Sequence, residues 1–246
     1  MNSEKSFRER IYGAYVETTS ERGLGQMSLD NQARQFRRRW QAFLPPDKGA
    51  PVLDLGCGCG EFLYFLQREG YTNLHGVDVS LQQVEVARGL GLSAVQLEVG
   101  DALDYLHRHP AAFALINAQN LLEHFTRDEL FILLDALVAA LLPGGTLLAV
   151  VPNAASPLGS RTRYWDITHE LSFTPSSLLQ VMTAVGLPEV RFLEHGPLVH
   201  GVKSAIRFFT WRIIRGLLKV YLLAETAGDR YNIFTQDMRV VARKPG

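Results

Sequence analysis

The chain has 246 residues, 47% of them hydrophobic and 20% charged, enough to bury a sizeable core within the size range of one large domain. Lysine plus arginine and aspartate plus glutamate both number 25 and the pI is about 7.1, so no overall field draws the chain onto nucleic acid or an anionic surface. Cys57 and Cys59, separated by one glycine, are badly placed for a disulfide and too few for a zinc site, which leaves reduced thiols and a cytoplasmic setting as the expectation. Met1 to Arg10 carries charges throughout and no secretory pattern is read there; no uncharged run is long enough to span a bilayer.

In chain order, residues 1–48 read as an N-terminal helical cap. Ala33, Phe36, Trp40 and Phe43 fall at helical spacing, the run Arg37-Arg38-Arg39 reads as solvated, and Leu44-Pro45-Pro46 breaks the helix. Residues 49–246 read as one α/β unit. Strands are predicted at Pro51 to Leu55, Leu74 to Asp78, Ala94 to Leu97, Phe113 to Asn117 and Thr146 to Val151, alternating with helical periods as in a doubly wound sheet. A helix opens at Ser80 with Gln83 at capping-box spacing. Another opens at Thr126 with Glu129, and its face Leu130, Leu133, Leu134, Leu137, Val138 and Leu141 runs to the stop Pro143-Gly144-Gly145.

Residues 152–173 form a long irregular stretch, of the kind that is functional or disordered in compact domains; Tyr164, Trp165, Ile167 and Phe173 argue for order. Thr174-Pro175 starts a helix through Val185, closed by Gly186, and a strand follows at Glu189 to Leu193. A helical insertion at 199–225 carries a basic amphipathic helix from Val202 to Leu223. Lys203, Arg207, Arg215 and Lys219 lie at multiples of four, with Ile206, Ile213, Leu217 and Val220 available for another face. Two readings stand open for it, a solvated cationic face and peripheral contact with a membrane surface. The last predicted strand is Met238 to Ala242.

The first strand, Val52-Leu53-Asp54-Leu55, runs into Gly56-Cys57-Gly58-Cys59-Gly60 and then a helix near Glu61, so a cofactor can approach the backbone closely. A dinucleotide fingerprint needs glycine where this chain has Glu61, and a pyrophosphate would face that carboxylate. A ligand with cationic groups suits Asp54 better.

These residues resemble the class I S-adenosylmethionine-dependent methyltransferases over roughly Pro51 to Ala242. The resemblance implies a Rossmann-like, mostly parallel seven-stranded sheet with an antiparallel last strand. It assigns Asp54, Gly56, Cys57, Gly58 and Gly60 to the methionine end of the cofactor, and Asp78 with Val79 to the ribose hydroxyls. Asp101 with Ala102 goes to the adenine, and Asn117, opening the stretch Asn117 to Phe125, to the methyl-transfer site. Many relatives carry an acid where this chain has Ala114, so any role of that carboxylate is absent.

The segment Ser160 to Pro175, with Asp166-Ile167-Thr168-His169 and Phe173-Thr174-Pro175, resembles methyltransferases of bacterial surface-polysaccharide (O-antigen-type) biosynthesis clusters. That implies oxygen methylation of a sugar hydroxyl, with S-adenosylhomocysteine as product. A histidine is a suitable base for an alcohol. His169 is the candidate, with His124 as a second; Asp166 would orient the imidazole or bind a sugar hydroxyl, and Arg161, Arg163 and Tyr164 would hold the acceptor. No residues with metal-ligand spacing are read and no metal is expected, with a divalent ion held by residues distant in sequence left open. Nucleic-acid bases are disfavoured because Asp/Asn-Pro-Pro-aromatic does not follow Asn117. Two alternatives stay open: a small-molecule or lipid-intermediate O-methyltransferase, and a non-catalytic cofactor-binding scaffold.

Overall fold

A computed structural model describes Ile11 and residues 26–228 and 230–246; of the expected cap, residues 1–10 and 12–25 lie outside the described residues. Seven strands form one sheet in the order β3-β2-β1-β4-β5-β7-β6. They are β1 (Val52–Leu55), β2 (Leu74–Asp78), β3 (Val95–Val99), β4 (Phe113–Gln119), β5 (Leu141–Pro152), β6 (Glu189–Glu194) and β7 (Asp237–Arg243). The first five pair in parallel, and β7 runs antiparallel to both β5 and β6. The order reverses between β1 and β4. That reversal opens a crevice beyond the carboxyl ends of these strands, the usual ligand position in such sheets.

The helices are α1 (Gln26–Trp40), α2 (Glu61–Arg68), α3 (Leu81–Arg88), α4 (Ala102–His107), α5 (Arg127–Ala140), α6 (Gly159–Arg163), α7 (Pro175–Ala184) and α8 (Val202–Thr226). Thr126 and Glu129 form the expected reciprocal cap of α5, and Thr174 and Ser177 form a second one on α7. At α3 only half of the box is present: Ser80 Oγ accepts from the Gln83 N–H at 3.4 Å. Leu130, Leu133, Leu134 and Leu137 of α5 enter the core on one sheet face, while Phe62, Leu63, Phe65 and Leu66 of α2 cover the other with Trp40. The predicted stop at Pro143-Gly144-Gly145 is a register shift inside β5, which begins as soon as α5 ends.

Two expectations about charged helices need correction. The arginine run of α1 is not uniformly solvated: Arg37 pairs with Glu69, and Arg39 is half-buried beside Arg239, its pKa lowered to about 10 by burial and that neighbouring charge. On α8, Arg215 leaves the cationic stripe and turns inward to Glu194, Nε to Oε1 2.8 Å, because it shares a face with Ser204, Trp211 and Leu218. The opposite face exposes Val202, Ile206, Phe209, Ile213, Leu217 and Val220. No helix among the described residues is long and apolar enough to cross a membrane.

Candidate active site

One cleft of about 1010 Å³ lies at the crevice, lined by the glycine loop, the ends of β2 and β4, the turn after β4 and part of the 152–173 stretch. Its first wall is local. Gly56, Gly58 and Gly60 have φ of +71°, +52° and +84°, so the loop needs residues without a Cβ. A Cβ at Gly60 would also stand 2.9 Å from that of Ala87. The Gly56 and Cys57 N–H groups donate to the Val77 carbonyl at 2.9 and 3.0 Å, and the Gly58 N–H donates to Asp78 Oδ2 at 2.9 Å. Asp78 Oδ1 accepts from the Ser80 N–H, so this carboxylate anchors the loop and α3 and keeps one lone pair on each oxygen for a ligand.

Asp54 is buried in β1, opposite Asn117 of β4 in register, and Asn117 Nδ2 donates to its Oδ1 at 2.6 Å. Burial pushes its pKa up to about 8, and the charges of Glu61 and Asp78 add to this, against the Asn117 hydrogen bond. Asp101 caps α4 through Oδ1, which accepts from the Leu103 and Asp104 N–H groups. Val79 and Ala102 line the cleft beside these carboxylates. Both cysteines are buried outside any disulfide, and burial beside Asp54 raises the Cys57 thiol pKa, which suits a loop filler.

The second wall is built from distant segments. Residues 153–173 close on themselves: Asn153 bridges Phe173, and Asn153 Nδ2 donates to the Ile233 and Thr235 carbonyls at 3.0 and 2.8 Å. The stretch is pinned to the 3-10 turn Leu122–His124 because the Glu170 and Leu171 N–H groups donate to the Glu123 carbonyl. This brings His169 to the His124 ring, centroids 4.8 Å apart, and sets its Nε2 4.0 Å from Glu123 Oε1. His169 Nδ1 donates to the Thr162 carbonyl at 3.0 Å, since that oxygen can only accept, which leaves Nε2 with the lone pair. Burial lowers the His169 pKa, keeping the ring neutral.

Asp166 orients a different histidine from the one expected. The Thr168 hydroxyl donates to Asp166 Oδ1 at 2.6 Å and therefore accepts from His124 Nδ1 at 2.8 Å. Arg161, Arg163 and Tyr164 do not line the cleft; Thr162, Trp165, Asp166 and His169 do. Arg163 donates to the His169 and Glu170 carbonyls and so fixes the loop, Arg161 lies over the Trp165 ring, and Tyr164 is 77% exposed. Gln32 and Phe36 of α1 reach the cleft. Glu123 and Asp237, also in its lining, carry no sequence-level assignment. For Glu123 a signal did exist, a carboxylate set between Leu121-Leu122 and a histidine; for Asp237 the strand start gave none.

This sheet order, with its antiparallel β7 and its glycine loop at the switch point, defines the class I S-adenosylmethionine-dependent methyltransferase fold. The chain belongs to that family: the model described as a methyltransferase domain matches residues 29–190. An S-adenosylmethionine-dependent methyltransferase from Archaeoglobus fulgidus superposes with a TM-score of 0.64 at 20% identity, covering 96% of this chain and 99% of that one. Ajmaline N-methyltransferase of Rauvolfia serpentina is 35% identical over 109 residues, 42% of this chain and 36% of its own length. Ubiquinone biosynthesis O-methyltransferase of Thiobacillus denitrificans is 34% identical over 98 residues, 38% of this chain and 41% of its own. The chain thus spans about two fifths of the length of these curated relatives. S-adenosylmethionine is the cofactor, and the first wall suits it: the glycines leave room at the backbone, and a buried Asp54 among further carboxylates meets a ligand with sulfonium and ammonium charges.

Proposed function

We propose that the chain transfers the cofactor's methyl group to a hydroxyl oxygen, with a sugar hydroxyl of a surface-polysaccharide precursor as acceptor. The observation that carries this reading is the bare Nε2 of His169, neutral through burial, in the same cleft as the glycine loop. When bound, S-adenosylmethionine supplies an electrophilic methyl and leaves as S-adenosylhomocysteine. Asp54 and the loop from Gly56 through Cys57 and Gly58 to Gly60 hold its methionine end, with Asn117 keeping Asp54 in place. Asp78 and Val79 take the ribose; Asp101 and Ala102 take the adenine.

On the other wall His169 accepts the hydroxyl proton, while Asp166, through Thr168, keeps His124 fixed beside it. Trp165, 70% exposed at the cleft, offers an apolar ring face to a sugar, and Arg161 packs over that ring. Arg163 supports the loop, and Tyr164 stands outside the cleft as an outer contact for a longer glycan. Residues 1–48 act as a cap and 49–246 as the catalytic unit. Calorimetry with S-adenosylmethionine followed by homocysteine release on glycan acceptors tests this reading. Binding without turnover on any glycan or phenol favours the scaffold alternative, and failure to bind refutes cofactor use.

A specific observation favours a lipid-linked acceptor over a free one. The exposed apolar face of α8 is flanked by Lys203, Arg207, Arg212 and Lys219, the arrangement of a helix lying in a membrane interface with its cations at anionic headgroups. Co-sedimentation with phosphatidylglycerol-containing vesicles, lost when Ile213 and Leu217 are replaced by Ser, is the expected result. Equal recovery with neutral and anionic vesicles argues against this contact.

A further inference from the structure

We infer that Glu123, His124 and His169 form a binding site for one divalent cation. One ligand atom from each lies within 4.8 Å of the other two. The first reason is Glu123. Its carboxylate is buried, with 1% of the residue exposed, and neither oxygen has a hydrogen-bond partner among the described residues. A buried carboxylate without a partner is costly to keep unless something positive joins it. Burial, and after it the neighbouring Asp237 and Asp166 charges, disfavour its ionised form.

The second reason is independent of the first and concerns the two imidazoles. His169 gives its Nδ1 proton to the Thr162 carbonyl, and His124 gives its own to Thr168 Oγ1, whose hydroxyl proton goes to Asp166. Both rings are therefore held as the tautomer whose Nε2 carries the lone pair. A proton given to a carbonyl, or relayed to a carboxylate, is the outer arrangement found around metal-bound histidines. Two imidazoles and one carboxylate suit Mn²⁺, Fe²⁺ or Zn²⁺ better than Mg²⁺ or Ca²⁺, which prefer oxygen ligands. With bonds of about 2.0 to 2.2 Å the donors come to roughly 3.5 Å from one another, so loading draws the set together by about 1 Å.

Three protein donors leave coordination positions open, and all three residues line the cleft. An acceptor hydroxyl can take such a position. This use rests on the methyl-transfer reading above, whereas the cation binding does not. With the cation present, the hydroxyl proton passes to water at the cleft mouth instead of to His169. The oxygen pair then forms the bond to the methyl carbon, and the sulfur keeps the pair of the broken S–C bond.

The test uses the untagged full chain, treated with a chelator that is then removed, and titrated with Co²⁺ as a visible-absorbing probe and with Zn²⁺ by calorimetry. One equivalent is expected to bind with d–d bands of a nitrogen-ligated ion, and Glu123→Gln and His169→Ala are each expected to weaken it at least tenfold. Glu123→Gln keeps the shape and removes the carboxylate, so its circular dichroism and melting serve as the folding control. Absence of a bound equivalent, or one whose affinity Glu123→Gln leaves unchanged, overturns the site. S-adenosylmethionine binding in the same preparation separates the two proposals: Co²⁺ binding without cofactor binding retains the site and sinks the methyltransferase reading, and the converse does the reverse.

Discussion

The wall of the cleft made by β1, β2 and their loops holds its polar groups mostly through near neighbours, with Asp54, bonded to Asn117 63 positions away, as the exception. Gly58 reaches Asp78 across 20 positions, and Asp101 caps the helix it precedes. The opposite wall holds its groups across the fold. His124 meets Thr168 44 positions away, and the stretch carrying Thr168 is anchored by Asn153 to carbonyls 80 and 82 positions on. A wall made from short strand-to-helix turns keeps its shape when the rest of the domain changes. A wall made by docking one loop onto another can vary its residues, and with them the acceptor, without disturbing the cofactor loop.

Removing a group from the second wall should therefore abolish chemistry while sparing the first. His169→Ala is expected to lower turnover by at least about a hundredfold with cofactor affinity changed less than twofold, as read by single-turnover kinetics and calorimetry. A parallel loss of cofactor affinity would mean that the walls are coupled.

Protonation should sharpen the contrast from the other side. Because the Asp54 pKa is raised to about 8, the free protein holds a proton there at neutral pH that a cationic ligand must expel. Cofactor binding at pH 7 is expected to release close to one proton, and affinity should rise about tenfold from pH 6 to pH 7. Stability runs the opposite way: a carboxylate with a raised folded-state pKa weakens the fold as pH climbs from about 4 towards 8, and the ligand offsets this. Calorimetry in two buffers of different ionisation enthalpy measures the release, and a value near zero would remove Asp54 from the cation's surroundings.

Asp78→Asn should weaken cofactor binding about tenfold or slightly less, since the amide can mimic only one of the two anchoring oxygens. Turnover at saturating cofactor should hardly change. The glycine effects fall on stability and not on binding. Gly60→Ala combines φ +84° with a 2.9 Å approach to Ala87 and is expected to cost about 2 kcal/mol of stability or more. Gly186→Ala, with φ +86° and nothing within 4 Å, should cost about 1 kcal/mol. Equal melting shifts would show that the close approach at Gly60 is relieved by movement of α3.

Sheet, helices and the first wall were legible in the sequence because each depends on short-range chemistry: strand runs, caps such as Thr126 with Glu129, and glycines where φ is positive. The sequence pattern also singled out His169, His124 and Asp166. It paired Asp166 with His169, however, and gave Arg161 and Arg163 to the acceptor. Spacing along a loop does not reveal where its side chains turn. Once the Glu170 and Leu171 amides bind the Glu123 carbonyl, Arg163 is spent on loop carbonyls and Asp166 reaches His124 through Thr168. Glu123 is the clearest case. In the sequence it is one carboxylate in Leu-Leu-Glu-His-Phe. Docking of residues 153–173 over the turn after β4 removes its water and sets two imidazoles around it, so an ordinary side chain becomes a buried carboxylate facing two ring nitrogens.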